Sequence, residues 1–182
     1  QNNQNNQNNQ KLDLSKIKPC RMTQFTRDQV EKWNAAIPLI NSANQIFSQL
    51  TPSKHKNQLD RASETSDYQI ENTAFSTVTI NHNWRTALHK DAGDLREGFG
   101  NLIVCEKGRY KGGATGFPQF KVAIDVRNGD FLAMDVHEWH TNTEFYPTNP
   151  KVKLNKKDRK VKNNWHYNRL SIVCYLRDNM IR

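Results

Sequence analysis

His89 and Asp91 stand two residues apart at the end of a predicted strand, a spacing that turns both side chains to one face. A second histidine, His140, follows 49 residues after Asp91, beyond the turn Gly129-Asp130 and an apolar run. Two imidazoles and one carboxylate make a facial triad, the donor set that holds Fe(II) on one face and leaves the opposite positions open. His-x-Asp by itself is equally the pattern of a surface histidine beside a solvated acid. Further along, the apolar run from Asn168 to Tyr175 opens with Arg169, and the Arg-x-Ser spacing puts the heads of Arg169 and Ser171 on one face. A planar guanidinium clamps a carboxylate by two parallel hydrogen bonds, to which the Ser171 hydroxyl adds a third. Two anions suit Arg169 on this reading: a dicarboxylate co-substrate, or a neighbouring acid in a salt bridge.

Short β-branched and aromatic runs separated by Gly, Asn and Asp turns must position these groups. Strands are expected at 72–80, 84–89, 101–105, 113–117, 120–125, 131–135, 139–143 and 169–176. So many short strands in succession predict a small double sheet or jelly roll, with helices packed outside. An apolar pattern of helical period runs from Thr26 to Leu50, where Pro38 is expected to divide it into two short helices. Residues 51–67 are polar and read as an exposed loop.

Length and composition set the outer bounds. The chain has 182 residues, 35% hydrophobic and 25% charged, enough apolar material for one core. No run approaches the roughly 18 apolar residues a bilayer span needs, and no basic-then-apolar leader pattern opens the sequence. Cys20, Cys105 and Cys174 are an odd set without CxxC spacing, so an intracellular, reducing setting is expected rather than a disulfide framework or secretion. Residues 1–10, QNNQNNQNNQ, lack any apolar side chain and are set aside as a low-complexity tail; 11–182 are expected to form a single domain with helices at 26–50, a β core at about 70–178 and a basic insert at 148–164. Within that insert, 151–162 hold seven basic residues and one acid, hence +6 of the chain's net +9. Such a run is either a solvated loop or a contact for a polyanion, of which nucleic acid is the foremost in a basic protein.

Several of these segments in this order resemble the Fe(II)- and 2-oxoglutarate-dependent dioxygenases, and among them the TET and J-base-binding-protein branch that oxidises the methyl group of pyrimidines in DNA. The resemblance covers roughly residues 70–178. It rests on FSTVTINHN, HKDAGD, the GG and FP of 112–118, NGDFLAMD leading into WHTNT, and RLSIVCY. It implies a mainly β fold with flanking helices (α+β) around a double-stranded β-helix, the cupin-like jelly roll. It makes His89, Asp91 and His140 the iron ligands and catalytic centre, with His137 competing for the third position, and Arg169 with Ser171 the holders of 2-oxoglutarate. Trp139 before His140, and the Thr141–Thr143 stretch after it, favour His140 by resemblance. Where the branch has HxDxxN, this chain has Asp94, which accepts hydrogen bonds but cannot donate them when ionised.

The cofactors implied are Fe(II) and 2-oxoglutarate with O2 as co-substrate, and the partner implied is DNA, with no membrane. The expected reaction is hydroxylation of a 5-methylpyrimidine methyl group, 5-methylcytosine ahead of thymine. Because a duplex base hides its methyl, the nucleotide must be flipped into a pocket. Asp94, Asn81, His137 and Trp139 are the candidate substrate contacts, with Asn83, Trp84, Phe99 and Tyr110 also available. Lys153, Lys156, Lys157, Arg159 and Lys160 are the candidate nucleic-acid contacts. Two other functions compete: an oxygenase of the same chemistry acting on protein side chains or free nucleotides, and a metal-stabilised nucleic-acid-binding module without turnover.

Overall fold

A computed structural model describes residues 22–64, 67–148 and 167–178. Three helices come first, α1 (Gln24–Asp28), α2 (Val30–Leu50) and α3 (Pro52–Ser63). The expected break at Pro38 does not occur, because α2 runs through it. An interior proline removes one helical hydrogen bond, at a cost of about 3 kcal/mol. Here Pro38 is exposed, while the stripe Trp33, Ile37, Ile40, Ala43 and Phe47 packs against the sheet on both sides of it, and that burial outweighs the local penalty. The expected loop at 51–67 is largely helix as well. Pro52 occupies the first turn, where its missing N–H is no loss, and Lys56 pairs with Asp60 one turn on at 2.5 Å. Gln58 docks α3 by polar means: its Nε2 donates to the Ala74 carbonyl at 2.8 Å and its Oε1 accepts from Phe99 N at 2.9 Å.

Nine strands follow: β1 (Thr77–His82), β2 (Gly100–Gly108), β3 (Tyr110–Gly112), β4 (Thr115–Phe117), β5 (Val122–Ile124), β6 (Phe131–Met134), β7 (Thr141–Asn142), β8 (Phe145–Pro147) and β9 (Tyr167–Tyr175). The expected strand at 84–89 is instead irregular chain with one isolated bridge at His89, and β3 and β8 are additional to the expected set. The larger sheet has the antiparallel order β1-β9-β2-β6, the smaller one β5-β4-β7, and β3 pairs with β8. This is the mainly antiparallel jelly roll with outer helices that the sequence predicts. No described helix is long and apolar enough to cross a membrane.

Strand alternation gives the larger sheet two different faces. On one, Ile103, Ile172 and Cys174 join Ile40, Ala43, Phe47, Ala74 and Phe75 in the helix-covered core. On the other, Leu102, Val104, Leu132 and Val173 pack with Val126. This second face carries the polar residues of β9 as well, and it looks toward β4 and β7 across an open cavity.

Candidate metal and co-substrate site

His89 and His140 lie directly opposite each other as an isolated antiparallel bridge. His89 N donates to the His140 carbonyl at 3.0 Å and His140 N to the His89 carbonyl at 2.9 Å, which brings the ring centroids to 4.3 Å. The remaining ring contacts are matched. His89 Nδ1 lies 2.7 Å from the Ala87 carbonyl and His140 Nδ1 2.8 Å from the Glu138 carbonyl, each two residues back along the chain. A carbonyl only accepts, so both rings carry their proton on Nδ1 and present the Nε2 lone pair inward, the tautomer a metal ligand needs. Asp91, whose N–H donates to the Val136 carbonyl at 2.9 Å, places a carboxylate oxygen 3.2 Å from His89 Nε2. One donor atom from each of His89, Asp91 and His140 lies within 4.8 Å of the others. The set fits a divalent ion bound on one face, and two imidazoles with one carboxylate match iron.

These three residues line a cavity of about 260 Å3 together with Asn81, Asp94, Arg169, Ser171 and Arg177. Arg169 is 2% exposed, and its Nε and Nη2 have no hydrogen-bond partner. Glu106 stands opposite Arg169 in the β2–β9 register, but its carboxylate accepts from the Tyr110 hydroxyl, and among the described residues no ion pair is formed with Arg169. An unpaired buried guanidinium is costly and demands an anion. Its forked donors and the Ser171 hydroxyl, two residues along the same face, suit a carboxylate of a ligand entering the cavity. The Arg169 head rests on the Phe145 ring at 5.6 Å, and Phe145 is stacked with Tyr167 and tilted against Tyr110.

The glycine pair of the sequence motif makes this seat possible. Gly112 and Gly113 have φ of +78° and +76°, and a Cβ on Gly112 would lie 1.8 Å from the Glu144 carbonyl oxygen while one on Gly113 would strike the Phe145 ring. Asn83 ties β1 to β9: its Oδ1 accepts from Arg169 N at 2.7 Å and its own N–H donates to the Arg169 carbonyl at 2.8 Å.

Of the other expected contacts, Asn81 and Asp94 line the cavity. Burial, and after it the charge of Asp91, pushes the Asp94 carboxyl up to about 6 against the opposing pull of His137 and Arg177. His137 is not among the lining residues. Its ring bridges the Asp135 carboxylate at 3.2 Å and the Asp94 carbonyl at 3.3 Å, so the choice between His137 and His140 falls to His140 on geometry. Trp139 is 47% exposed at the outer side of the same turn, with Lys90 Nζ 5.5 Å from its ring centroid. Phe99 packs against the helix core and Tyr110 belongs to the aromatic seat below Arg169, while Trp84 is exposed. Lys153, Lys156, Lys157, Arg159 and Lys160 lie outside the described residues. Arg177 escaped the sequence reading, although the signal was there: Arg169, Ser171, Val173, Tyr175 and Arg177 keep a period of two, and all five line the cavity.

Comparison with known proteins places this geometry in context. Residues 8–178 match the Tet/JBP family, described as the oxygenase domain of the 2OGFeDO superfamily. The bifunctional helicase and thymine dioxygenase JBP2 of Leishmania major is 36% identical over 162 residues, which are 89% of this chain and 13% of that protein. The thymine dioxygenase JBP1 of Crithidia fasciculata is 39% identical over 124 residues, 68% of this chain and 15% of that protein. The chain thus spans a small fraction of the length of these relatives. Among solved structures, NgTET1 in complex with 5mC DNA superimposes with a TM-score of 0.59 at 13% identity, covering 84% of this chain and 55% of that one, a likeness of fold.

Proposed function

The chain belongs to the Tet/JBP family of oxygenase domains, and from that premise we propose that it is an Fe(II)- and 2-oxoglutarate-dependent dioxygenase hydroxylating the methyl group of a 5-methylpyrimidine in DNA. The observation that carries the chemistry is the pairing, in one cavity, of the His89–Asp91–His140 donor set with the unpartnered buried guanidinium of Arg169. 5-Methylcytosine is the base expected from the sequence, whereas the relatives JBP2 and JBP1 are thymine dioxygenases and favour thymine.

His89, Asp91 and His140 would hold the iron, and the cavity-side positions opposite them would remain for co-substrates. When bound, Fe(II) with 2-oxoglutarate and O2 supplies the oxidation: one oxygen atom enters the methyl C–H bond, and the other leaves in succinate as CO2 is released. The protein's own part is positioning. Arg169 and Ser171 would fix the distal carboxylate, and the Nδ1 contacts of both histidines would keep their rings oriented. No side chain need move a proton, so no general base is assigned.

The test is anaerobic loading with Fe(II) and 2-oxoglutarate, addition of O2, and mass analysis of nucleosides from DNA containing 5-methylcytosine and thymine. A gain of one oxygen on either base supports the reading and identifies the base. Succinate with a modified peptide and unmodified DNA would overturn the substrate, and no succinate at all would leave a binding module. Neutralising Lys153, Lys156, Lys157, Arg159 and Lys160 should weaken DNA binding and flatten its salt dependence.

A further inference from the structure

Arg169 faces an acid on the neighbouring strand that has the means to silence it. Glu106 on β2 stands directly opposite Arg169 on β9, and side chains so opposed share one face of the sheet with their Cβ atoms about 4.5–5.5 Å apart. The two long side chains bridge that separation easily, so carboxylate and guanidinium are within each other's reach. They nevertheless stay apart. Among the described residues no ion pair joins them, and Arg169 Nε and Nη2 are buried without a partner. The Glu106 carboxylate is engaged elsewhere, accepting from the Tyr110 hydroxyl four residues on. Tyr110 is itself held from several sides. Its ring centroid lies 4.8 Å from that of Tyr167 and 5.7 Å from that of Phe145, and the Arg127 guanidinium covers it at 4.5 Å. Arg127 in turn pairs with Asp125 at 2.8 Å, so that cation has an acid of its own. Burial, and after it the hydrogen bond to Glu106, holds the Tyr110 hydroxyl above its ordinary value, so it keeps its proton and remains a donor.

Glu106 and 2-oxoglutarate are competitors for one group, since each offers a carboxylate to the forked donor of Arg169. The internal carboxylate has the advantage, because it gives up no translational freedom to bind, whereas the co-substrate does. A free Glu106 would therefore close on Arg169 and shut the seat. We infer that Tyr110 is a positioning residue for the co-substrate: by holding Glu106, it keeps the Arg169 guanidinium open to the carboxylate of 2-oxoglutarate. This rests on the functional reading above, in which Arg169 receives that carboxylate. The arrangement also accounts for the tolerance of a buried cation in the ligand-free fold. The Glu106 charge lies one strand away, where it lowers the cost of burying Arg169 without occupying its donors.

Tyr110→Phe removes the hydroxyl and keeps the ring with its packing, so it isolates the contact to Glu106. The experiment measures 2-oxoglutarate binding by calorimetry in the Fe(II)-loaded protein under anaerobic conditions. Wild type, Tyr110→Phe, Glu106→Gln, the double variant and Arg169→Met are compared. Tyr110→Phe should lose roughly ten- to hundred-fold in affinity, the worth of one charge-assisted hydrogen bond that the released Glu106 makes with Arg169. Glu106→Gln alone should bind 2-oxoglutarate at least as well as the wild type. Added to Tyr110→Phe, it should restore most of the lost affinity, because a neutral amide competes weakly for a guanidinium. That rescue is the signature of competition, since damage to the aromatic seat would not be repaired by a change at position 106. Unchanged affinity in Tyr110→Phe overturns the inference while leaving the dioxygenase reading intact. A loss that Glu106→Gln does not reverse overturns it too, and makes Tyr110 a part of the seat's shape only. An Arg169→Met protein that binds 2-oxoglutarate as the wild type does overturns the functional reading at Arg169, and the inference with it.

Discussion

Replacing Arg169 by methionine should produce two effects of opposite sign, and their combination is diagnostic. Arg169 is 2% exposed with Nε and Nη2 unpartnered, so the ligand-free fold carries a buried charge that no ion pair among the described residues closes. Replacing a buried ion pair by apolar groups of similar volume is often neutral or stabilising by about 1–4 kcal/mol, and a buried charge without an ion pair has no such attraction to lose. The stacking of the guanidinium on Phe145 is lost in return, worth roughly 0.5–1 kcal/mol. Water entering the cavity already relieves part of the charge, so a net gain of about 1–2 kcal/mol is expected. At about 2–4 °C per kcal/mol for a domain of this size, Tm should rise by about 2–8 °C.

The same substitution removes the forked donor for the carboxylate. Two charge-assisted hydrogen bonds at about 1.5–3 kcal/mol each amount to a loss of roughly 10^2- to 10^4-fold in 2-oxoglutarate affinity. Thermal scans without and with 2-oxoglutarate read both effects at once. At a ligand concentration of 100 times its Kd the wild type gains about 2.7 kcal/mol, whereas Arg169→Met should be more stable than wild type alone and indifferent to the ligand. A variant that melts lower than wild type and still responds to 2-oxoglutarate would refute the assignment, since Arg169 would then be a structural cation with a partner of its own.

Pro38→Ala should raise stability by about 1–3 kcal/mol in denaturant unfolding, because Pro38 is exposed inside α2 and its removal restores the missing helical hydrogen bond; an unchanged midpoint would mean that the helix bends to accommodate it at no cost. Gly112→Ala should destabilise by about 3 kcal/mol or more and weaken 2-oxoglutarate binding as well, since a Cβ 1.8 Å from the Glu144 carbonyl oxygen pushes β8, and Phe145 with it, away from Arg169. Cys174 is fully buried and its thiol is pushed up to about 12 by that burial, so at pH 8 peptide mapping after iodoacetamide treatment should find it unmodified in native protein and modified in denaturant. The unfolded thiol loses its proton near pH 9 and the folded one only near 12, so this group makes stability fall as pH rises through that window.

The gathering of the candidate site residues is more legible in the sequence than the scaffold is. His89-x-Asp91 and Arg169-x-Ser171 could be read because a spacing of two fixes a shared face on a strand whatever the tertiary structure. The choice of His140 over His137 could not be read from residue spacing, since it depends on which histidine forms the long-range bridge to His89. Pro38 and the segment 51–67 differ from expectation for one reason: local propensity points to a break and a loop, while packing of α2 and α3 decides for helix. In α3 the docking residue is Gln58, a polar side chain that no hydrophobic pattern reveals. The pair β3 and β8 owes its path to two left-handed glycines whose need becomes visible only against Glu144 and Phe145. Arg177 obeys the same period-two rule as Ser171, at the end of the row that starts at Arg169.

A cavity holding the buried, unpartnered donors of Arg169 and a carboxylate pushed toward its neutral form is not self-stabilising, and β9 shows how the fold carries it. Ile172 and Cys174 point from this strand into the helix-covered core, while Arg169, Ser171 and Val173 point from the same strand into the cavity. Its neighbours on both sides, β1 and β2, hold it in register over nearly its full length. A slip by one residue would drive Arg169 among the helix side chains and expose Ile172 and Cys174 to the cavity, losing both apolar burial and charge placement at once. The register is therefore enforced by the core side, and the functional side can carry groups that weaken the fold until a ligand arrives. This division predicts where substitutions act: changes at Ile172 or Cys174 should lower stability and spare ligand affinity in the molecules that remain folded, whereas changes at Arg169 or Ser171 should lower affinity and spare or raise stability.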